Sequence, residues 1–208
     1  MNVEAAGRKF ARITTDAVTR SPRLWRLFRP LMRLQFDRLA PRWDAMRAEG
    51  AYAPYEAALE RVEAPARALD LGTGTGSGAF AIARRFPDAE VLGVDVAEAM
   101  VETARAKIPE EFRSRLRFEA ADASRLPYAD HSFDLVAHGN MNPFFDELSR
   151  VLAPGGWTFF AFSSGPETPI YVPSERLRGE LTSRGFADFA EITAGNGTAF
   201  DARAPVRT

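Results

Sequence analysis

The chain has 208 residues, of which 46% are hydrophobic and 26% are charged, and its formal net charge is −1. This length and composition are typical of one globular domain, and the near-neutral charge gives no general reason to expect binding to DNA. The absence of cysteine excludes disulfides, thiolate ligands and cysteine nucleophiles, and with only two histidines in the chain we expect no metal site.

The first fifty residues form a basic segment, with eleven arginine or lysine residues against five acidic ones. Leucine and aromatic residues recur between the arginines at spacings typical of helices. Ser21 and Pro22 predict the start of a helix, and Pro30 and Pro41 predict a kink or an end. We predict that residues 1–60 form a helical extension that packs on the domain as a lid.

Two other roles stay open for this basic segment. An amphipathic helix rich in arginine is also typical of a peripheral membrane contact or a protein partner, and less often of nucleic-acid binding. No apolar run approaches the about 20 residues that span a bilayer, and the N-terminus lacks the pattern of a signal peptide. We therefore expect the protein to be cytoplasmic.

From Ala66 onward, short apolar strands alternate with helices. The predicted strands are 68–71, 90–95, 116–120, 133–138, 157–162, 189–193 and 198–202. The predicted helices are 54–62, 79–86, 98–107, 145–152 and 173–183. This alternation predicts an α/β fold with a Rossmann-like, doubly wound, mostly parallel seven-stranded sheet in a domain over residues 61–208.

A glycine-rich turn follows the first predicted strand, at residues 70–78 (DLGTGTGSG). Glycines allow a tight turn and a close approach of the backbone to a ligand, and the following helix offers free N–H groups. With Ala79, the turn also satisfies a dinucleotide-binding fingerprint, and Asp95 lies at the expected distance. However, Asp70 would lie close to a pyrophosphate, and its carboxylate suits a cationic ligand better.

Further segments follow this turn in a characteristic order: 93–100 (GVDVAEAM), 122–128 (DASRLPY), 132–136 (SFDLV) and 150–156 (RVLAPGG). The ordered set resembles the motifs of class I S-adenosylmethionine-dependent methyltransferases, of the quinone-biosynthesis or small-molecule group. This resemblance covers about residues 36–204. It implies the Rossmann-like fold, S-adenosylmethionine as cofactor and S-adenosylhomocysteine as product.

The resemblance also implies roles for individual residues. The backbone of Gly72, Gly74 and Gly76 would pass beneath the methionine part of the cofactor, and Asp70 would face its ammonium group. Asp95 would accept hydrogen bonds from both ribose hydroxyls. The remaining cofactor contacts implied are packing on the adenine by Val96 and Met100, and hydrogen bonds to it from Asp122 and the Ala123 amide.

The acceptor is expected near the end of the fourth strand, at residues 138–145 (HGNMNPFF). Methyl transfer is an in-line displacement, so a base is needed only for a weak nucleophile such as a hydroxyl. His138 is the candidate catalytic base, with a structural histidine as the alternative. Residues 142–145 (NPFF) are similar to an Asn-Pro-Pro-Tyr/Phe motif of amino-group methyltransferases, but Phe144 replaces the second proline.

We predict methyl transfer to a small-molecule acceptor, with oxygen or carbon favoured over nitrogen by the resemblance. Two alternatives remain: a protein or RNA methyltransferase, and a non-catalytic partner or regulatory protein that keeps the fold. The connection after the fourth strand is shorter than in the quinone-biosynthesis group, which favours the second alternative. The intact motif around Asp70, Asp95 and Asp122 favours the enzyme.

Overall fold

The computed structural model describes the backbone of residues 3–206 and the side chains of residues 7–206. The first two residues of the predicted extension and the last two residues of the predicted domain lie outside the described backbone. The helices are α1 (Val3–Arg20), α2 (Trp25–Leu39), α3 (Ala53–Leu59), α4 (Ser77–Arg85), α5 (Glu98–Ala106), α6 (Phe145–Val151) and α7 (Ser174–Thr182). The strands are β1 (Arg67–Leu71), β2 (Glu90–Asp95), β3 (Leu116–Ala120), β4 (Phe133–Gly139), β5 (Leu152–Phe162), β6 (Ala187–Ala194) and β7 (Gly197–Arg203).

The seven strands form one sheet in the order β3-β2-β1-β4-β5-β7-β6. The contacts among β1 to β5 are parallel, and β7 runs antiparallel to both β5 and β6. The predicted seven-stranded, mostly parallel sheet is therefore confirmed. Strand order reverses between β1 and β4, so the carboxyl ends of β1 and β4 meet at the crevice where such sheets bind ligands.

Apolar side chains cover both faces of the sheet, and alternation along each strand divides them. In β1, Leu69 and Leu71 face a core that includes residues of α1, α2, α6 and α7. Ala68 belongs to the other core, which includes residues of α3, α4 and α5. In β4, Val136 lies in the first core and Ala137 in the second. This alternation places neighbouring residues of one strand in different chemical environments.

Several predicted boundaries differ from the structure, most of them by one to three residues. Of the two outcomes predicted for Pro30, a kink or a helix end, the end is wrong, because Pro30 lies inside α2, which continues to Leu39. The predicted helix 145–152 ends at Val151, and β5 begins directly at Leu152 rather than at Trp157. Here backbone pairing with a neighbouring strand prevails over the local turn propensity of Pro154.

The N-terminal helices lie against the carboxyl-end side of the domain. On α1, Arg12 donates to the Pro166 carbonyl at 2.7 Å, and Arg176 of α7 donates to the Thr19 carbonyl at 2.6 Å. On α2, the Asp37 carboxylate accepts the Ala99 amide at 3.0 Å. No described helix is both long enough and apolar enough to cross a bilayer.

Candidate cofactor and acceptor site

The glycine-rich turn leaves β1 in a backbone conformation that favours glycine. Gly72, Gly74 and Gly76 have φ angles of 67°, 53° and 93°. A Cβ on Gly72 would lie 2.9 Å from the side chain of Met141, and one on Gly74 would lie 3.3 Å from Trp43 Nε1. The turn is therefore lined by side chains from the loop after β4 and from the segment after α2.

Asp70 lies beneath this turn and is almost completely buried. Its carboxylate accepts hydrogen bonds from the Tyr55 hydroxyl at 2.7 Å and the Thr73 hydroxyl at 2.6 Å. Burial raises the pKa of Asp70 to about 6, although these hydrogen bonds oppose the increase. Asp70 thus connects the turn to α3, a contact that the motif alone does not reveal.

Gly78 lies in the first turn of α4, directly against this buried carboxylate. A Cβ there would lie 2.7 and 2.8 Å from the two Asp70 oxygens and 2.8 Å from the Tyr55 hydroxyl. We expect Gly78→Ala to lower the free energy of unfolding by about 1–3 kcal/mol, since overpacking forces a well-ordered core to shift. Urea unfolding followed by circular dichroism measures this change.

Gly179 provides the matched control, because it also lies inside a helix but has nothing within 4 Å of the position that a Cβ would occupy. Gly179→Ala is expected to stabilise the protein by about 0.5–1 kcal/mol through helix propensity alone. Equal effects of the two substitutions would contradict the assignment of a tight contact at Gly78.

Asp95 ends β2 beside the glycine-rich turn and is half-buried. One carboxylate oxygen accepts the Gly74 amide and the other accepts the Ala97 amide, both at 2.9 Å. Burial raises its pKa, and the hydrogen bonds from these amides oppose that effect. Since each oxygen can accept more than one hydrogen bond, both retain capacity for a pair of ligand hydroxyls.

Asp122 follows β3, and its carboxylate is already bound by donors from α2. Its Oδ1 accepts from Trp25 Nε1 and from the Ser124 amide and hydroxyl, and its Oδ2 accepts from Arg29 at 2.6 Å. Burial disfavours the charged carboxylate, but hydrogen bonds from Arg29 and Ser124 outweigh it and lower the pKa. The adjacent Ala123 is buried.

The two residues predicted to pack on adenine have different environments. Val96 directly follows β2 and is half-buried. Met100 is 1% exposed and forms a small cluster with Ala40 and Ala97, onto which Trp43 packs. The segment after α2 therefore covers this side of the cleft.

His138 lies near the end of β4, paired in register with Leu71, the last residue of β1. Its ring is 1% exposed and stacks on Phe160 with centroids 4.2 Å apart. Nδ1 lies 3.1 Å from the Phe159 carbonyl, which can only accept, so Nδ1 carries the proton. Burial lowers the pKa of His138 to about 4, and the ring is neutral at physiological pH.

With Nδ1 protonated, Nε2 of His138 presents a lone pair. This nitrogen is buried and has no hydrogen-bond partner among the described residues. Asn142 Oδ1, four residues further along, is also buried without a partner there. Because buried polar atoms are usually hydrogen-bonded, each of these acceptors is a candidate partner for a ligand donor.

Sequence reasoning missed several residues that shape the site: Tyr55, Thr73, Trp25 and Arg29. Each contacts a predicted carboxylate, but Trp25 lies 97 positions from Asp122 and Tyr55 lies 15 from Asp70. Such contacts depend on how α2 and α3 dock, which local spacing does not encode. The nearest signal in the sequence was the helical spacing of aromatic residues between arginines in the basic segment.

A glycine-rich turn after β1, a carboxylate after β2 and a topological switch at β1 and β4 define a Rossmann-like α/β protein for an adenosyl ligand. The methyltransferase domain family matches residues 68–156. The demethylmenaquinone methyltransferase of Lactobacillus johnsonii is 30% identical over 176 residues, which cover 77% of this chain and 70% of that protein. The chain belongs to the class I S-adenosylmethionine-dependent methyltransferases, which decides against the dinucleotide-binding alternative.

Two further similarities agree with this family. The malonyl-[acyl-carrier protein] O-methyltransferase of Halorhodospira halophila is 40% identical over 154 residues, or 67% of this chain. The chain spans only half of that relative's length, 50%. A SAM-dependent methyltransferase from Aquifex aeolicus has the same fold, with a TM-score of 0.61 at 19% identity over 74% of this chain and 90% of that one.

Proposed function

We propose that this protein transfers a methyl group from S-adenosylmethionine to an oxygen or carbon atom of a small molecule. One observation carries the proposal: the glycine-rich turn, whose Gly74 amide binds the Asp95 carboxylate, follows β1 directly beside β4, where Nε2 of the neutral His138 has no partner among the described residues. The first two features suit the cofactor, and the third suits an acceptor that donates a hydrogen bond.

The residues of the first feature fit an adenosyl ligand. Asp95 would hold the two ribose hydroxyls with the remaining capacity of its two oxygens, while the Gly74 and Ala97 amides keep the carboxylate in place. Gly72, Gly74 and Gly76 would run beneath the methionine part. Asp70 would act from below the turn, through its position and charge, rather than by direct contact.

Asp122 fits the adenine amino group only in competition with α2. Its Oδ1 already accepts three hydrogen bonds, so Oδ2 is the available acceptor, beside or in place of Arg29. Val96, Met100 and the Ala123 amide would complete the adenine contacts. We therefore propose that the extension, residues 1–60, acts as a lid on the cofactor domain, residues 61–208.

The cofactor supplies an activated methyl group on a sulfonium, and the protein aligns the acceptor and excludes water. His138 Nε2 would accept the hydrogen bond of an acceptor hydroxyl and take its proton as the new bond forms. A weak base suffices for this step, since the oxygen becomes strongly acidic as it gains the methyl group. Phe160, which stacks on the His138 ring, and Phe145, which packs on Phe160, favour an acceptor that is uncharged at its reacting end.

Calorimetric titration with S-adenosylmethionine, S-adenosylhomocysteine and NAD tests the cofactor. Formation of S-adenosylhomocysteine with demethylmenaquinone and with malonyl-acyl carrier protein tests the acceptor class suggested by the two relatives. Micromolar affinity for both adenosyl ligands, with turnover on a hydroxyl or carbon acceptor, is the expected result. Binding of NAD alone would overturn the proposal.

His138→Gln should lower kcat about 100-fold on an accepted substrate, because general-base catalysis contributes roughly that factor or more. Affinity for S-adenosylhomocysteine should stay within about threefold of wild type, a change worth under 1 kcal/mol. His131→Gln is the control, since His131 lies in the turn before β4 and bonds the Leu152 carbonyl. An unchanged kcat in His138→Gln would show that the ring is structural.

A further inference from the structure

Helix α2 and the residue before it carry an exposed row of leucines, here called the leucine stripe. Leu24, Leu27, Leu31 and Leu34 are 36%, 70%, 55% and 46% exposed. Their spacing of three and four residues places them along one side of the helix, over about 15 Å. Exposed leucines are ordinary when single, but a contiguous row of them marks an interaction surface.

The leucine stripe is held outward by contacts on the opposite side of α2. Trp25 and Met32 are buried there, at 6% and 2% exposure. Trp25 packs edge-on against Phe144 with ring centroids 5.5 Å apart. Asp37 accepts the Ala99 amide. Turning the stripe inward would break all of these contacts, so the apolar surface stays exposed while the helix is docked.

Arginines border the leucine stripe. Residues 20–42 contain seven arginines and a single acidic residue, Asp37. Arg23 and Arg26 are exposed and form no ion pair with any residue that the structure describes. Helical periodicity places Arg26 and Arg33 on the same side of the stripe. The surface is thus apolar in the middle and positively charged at its edge.

We propose that this surface docks the protein on a bilayer that carries anionic headgroups. An interfacial helix buries its apolar residues at the boundary between headgroups and acyl chains, while arginines bind the phosphates above them. Each cation near an anionic leaflet adds to this attraction within a Debye length. The leucine stripe and its arginine border provide both contributions on one side of one helix.

The charge of the surface makes a bilayer the favoured occupant. A second copy of the chain would bring two strongly positive surfaces together, and their repulsion would oppose association. Nucleic acid would satisfy the arginines but would leave the leucines between them without an apolar partner. An anionic bilayer satisfies both groups at once.

This docking does not depend on methyl transfer, and the two proposals can fail separately. Among the described residues, the side chains of Arg23 and Arg26 form no hydrogen bond or ion pair, and those of the substituted Leu27 and Leu31 are mostly exposed. Affinity for S-adenosylhomocysteine, measured in the same samples, therefore reports on the cofactor site alone.

Vesicle flotation of the full chain tests the proposal, with phosphatidylcholine vesicles that contain or lack phosphatidylglycerol. The variants are Leu27→Gln with Leu31→Gln, and Arg23→Gln with Arg26→Gln. The matched controls replace exposed residues elsewhere: Val206→Gln, at 71% exposure, and Arg84→Gln on α4. Thermal unfolding confirms that each variant folds, which surface substitutions of this kind permit.

Wild type and both controls should float with phosphatidylglycerol vesicles, and raised salt should weaken binding. The leucine variant should bind about tenfold more weakly or worse, since two apolar anchors are lost. The arginine variant should lose its preference for phosphatidylglycerol. Absence of wild-type flotation, or equal flotation of the leucine variant, would overturn the proposal. So would a wild-type dimer that the leucine variant abolishes, since the stripe would then be a protein interface.

Discussion

Asp95→Asn is expected to weaken the binding of S-adenosylhomocysteine about 100-fold, a loss of about 2.7 kcal/mol. The wild-type carboxylate offers acceptor capacity on both oxygens, whereas the amide offers one oxygen and an NH2 group that cannot accept. One ribose hydroxyl therefore loses its partner, and the other loses the extra strength of a charged acceptor. Hydrogen bonds to charged groups contribute about 1.5–3 kcal/mol each, which sets the expected magnitude.

The effect on binding must be separated from an effect on the turn, because Asp95 also accepts the Gly74 and Ala97 amides. Thermal unfolding without ligand reports on the turn, and calorimetric titration reports on the ligand. Glu102→Gln on α5 is the control for replacing a carboxylate by an amide, since Glu102 is exposed. Wild-type affinity in Asp95→Asn would contradict the proposed ribose contact.

Much of the fold could be predicted from the sequence because its signals are local. A strand such as β2 is a short apolar run that ends at Asp95, and a helix such as α4 follows directly from a glycine-rich turn. Even the closing pair of antiparallel strands is marked by residues 195–197 (GNG). Each of these signals is contained within about ten residues, the scale on which turn chemistry and periodicity act.

The candidate site was predictable to a smaller extent. Motif order located Asp95 and the glycine-rich turn, because their roles follow from backbone geometry at the ends of β1 and β2. Motif order did not reveal that Trp25 and Arg29 bind Asp122, because this contact joins α2 to a loop 93 to 97 residues further along the chain. Nor did it reveal the depth of His138, which depends on Phe160 of the neighbouring strand.

The burial of His138 also affects stability as a function of pH, together with that of Asp70. These two buried groups lie on opposite faces of the sheet and have pKa values displaced in opposite directions. The pKa of Asp70 is raised from 3.8 to about 6 and that of His138 is lowered from 6.5 to about 4, in both cases chiefly by burial. A pKa difference of about two units between folded and unfolded states corresponds to about 3 kcal/mol.

The two groups act on stability with opposite signs. Asp70 holds its proton more tightly when folded, so its contribution is complete below pH 3.8 and is lost as the pH rises through about 6. His138 holds its proton less tightly when folded, so its contribution is complete above pH 6.5 and is lost as the pH falls through about 4. Over the shared interval the two slopes largely cancel in the wild type.

Single substitutions should therefore reveal slopes that the wild type conceals. From about pH 4 to 6.5, the free energy of unfolding of His138→Phe should fall relative to wild type by about 3 kcal/mol, since the opposing histidine slope is removed. That of Asp70→Asn should rise relative to wild type by a similar amount. Urea unfolding at a series of pH values measures both differences, and Asp70→Asn with His138→Phe should show the smallest change with pH. Parallel curves for wild type and either single variant would show that the substituted group has the same pKa in the folded and the unfolded chain. If His138 had the same pKa in both states, its ring would be exposed to solvent, and it would lack the buried lone pair on which the acceptor site depends.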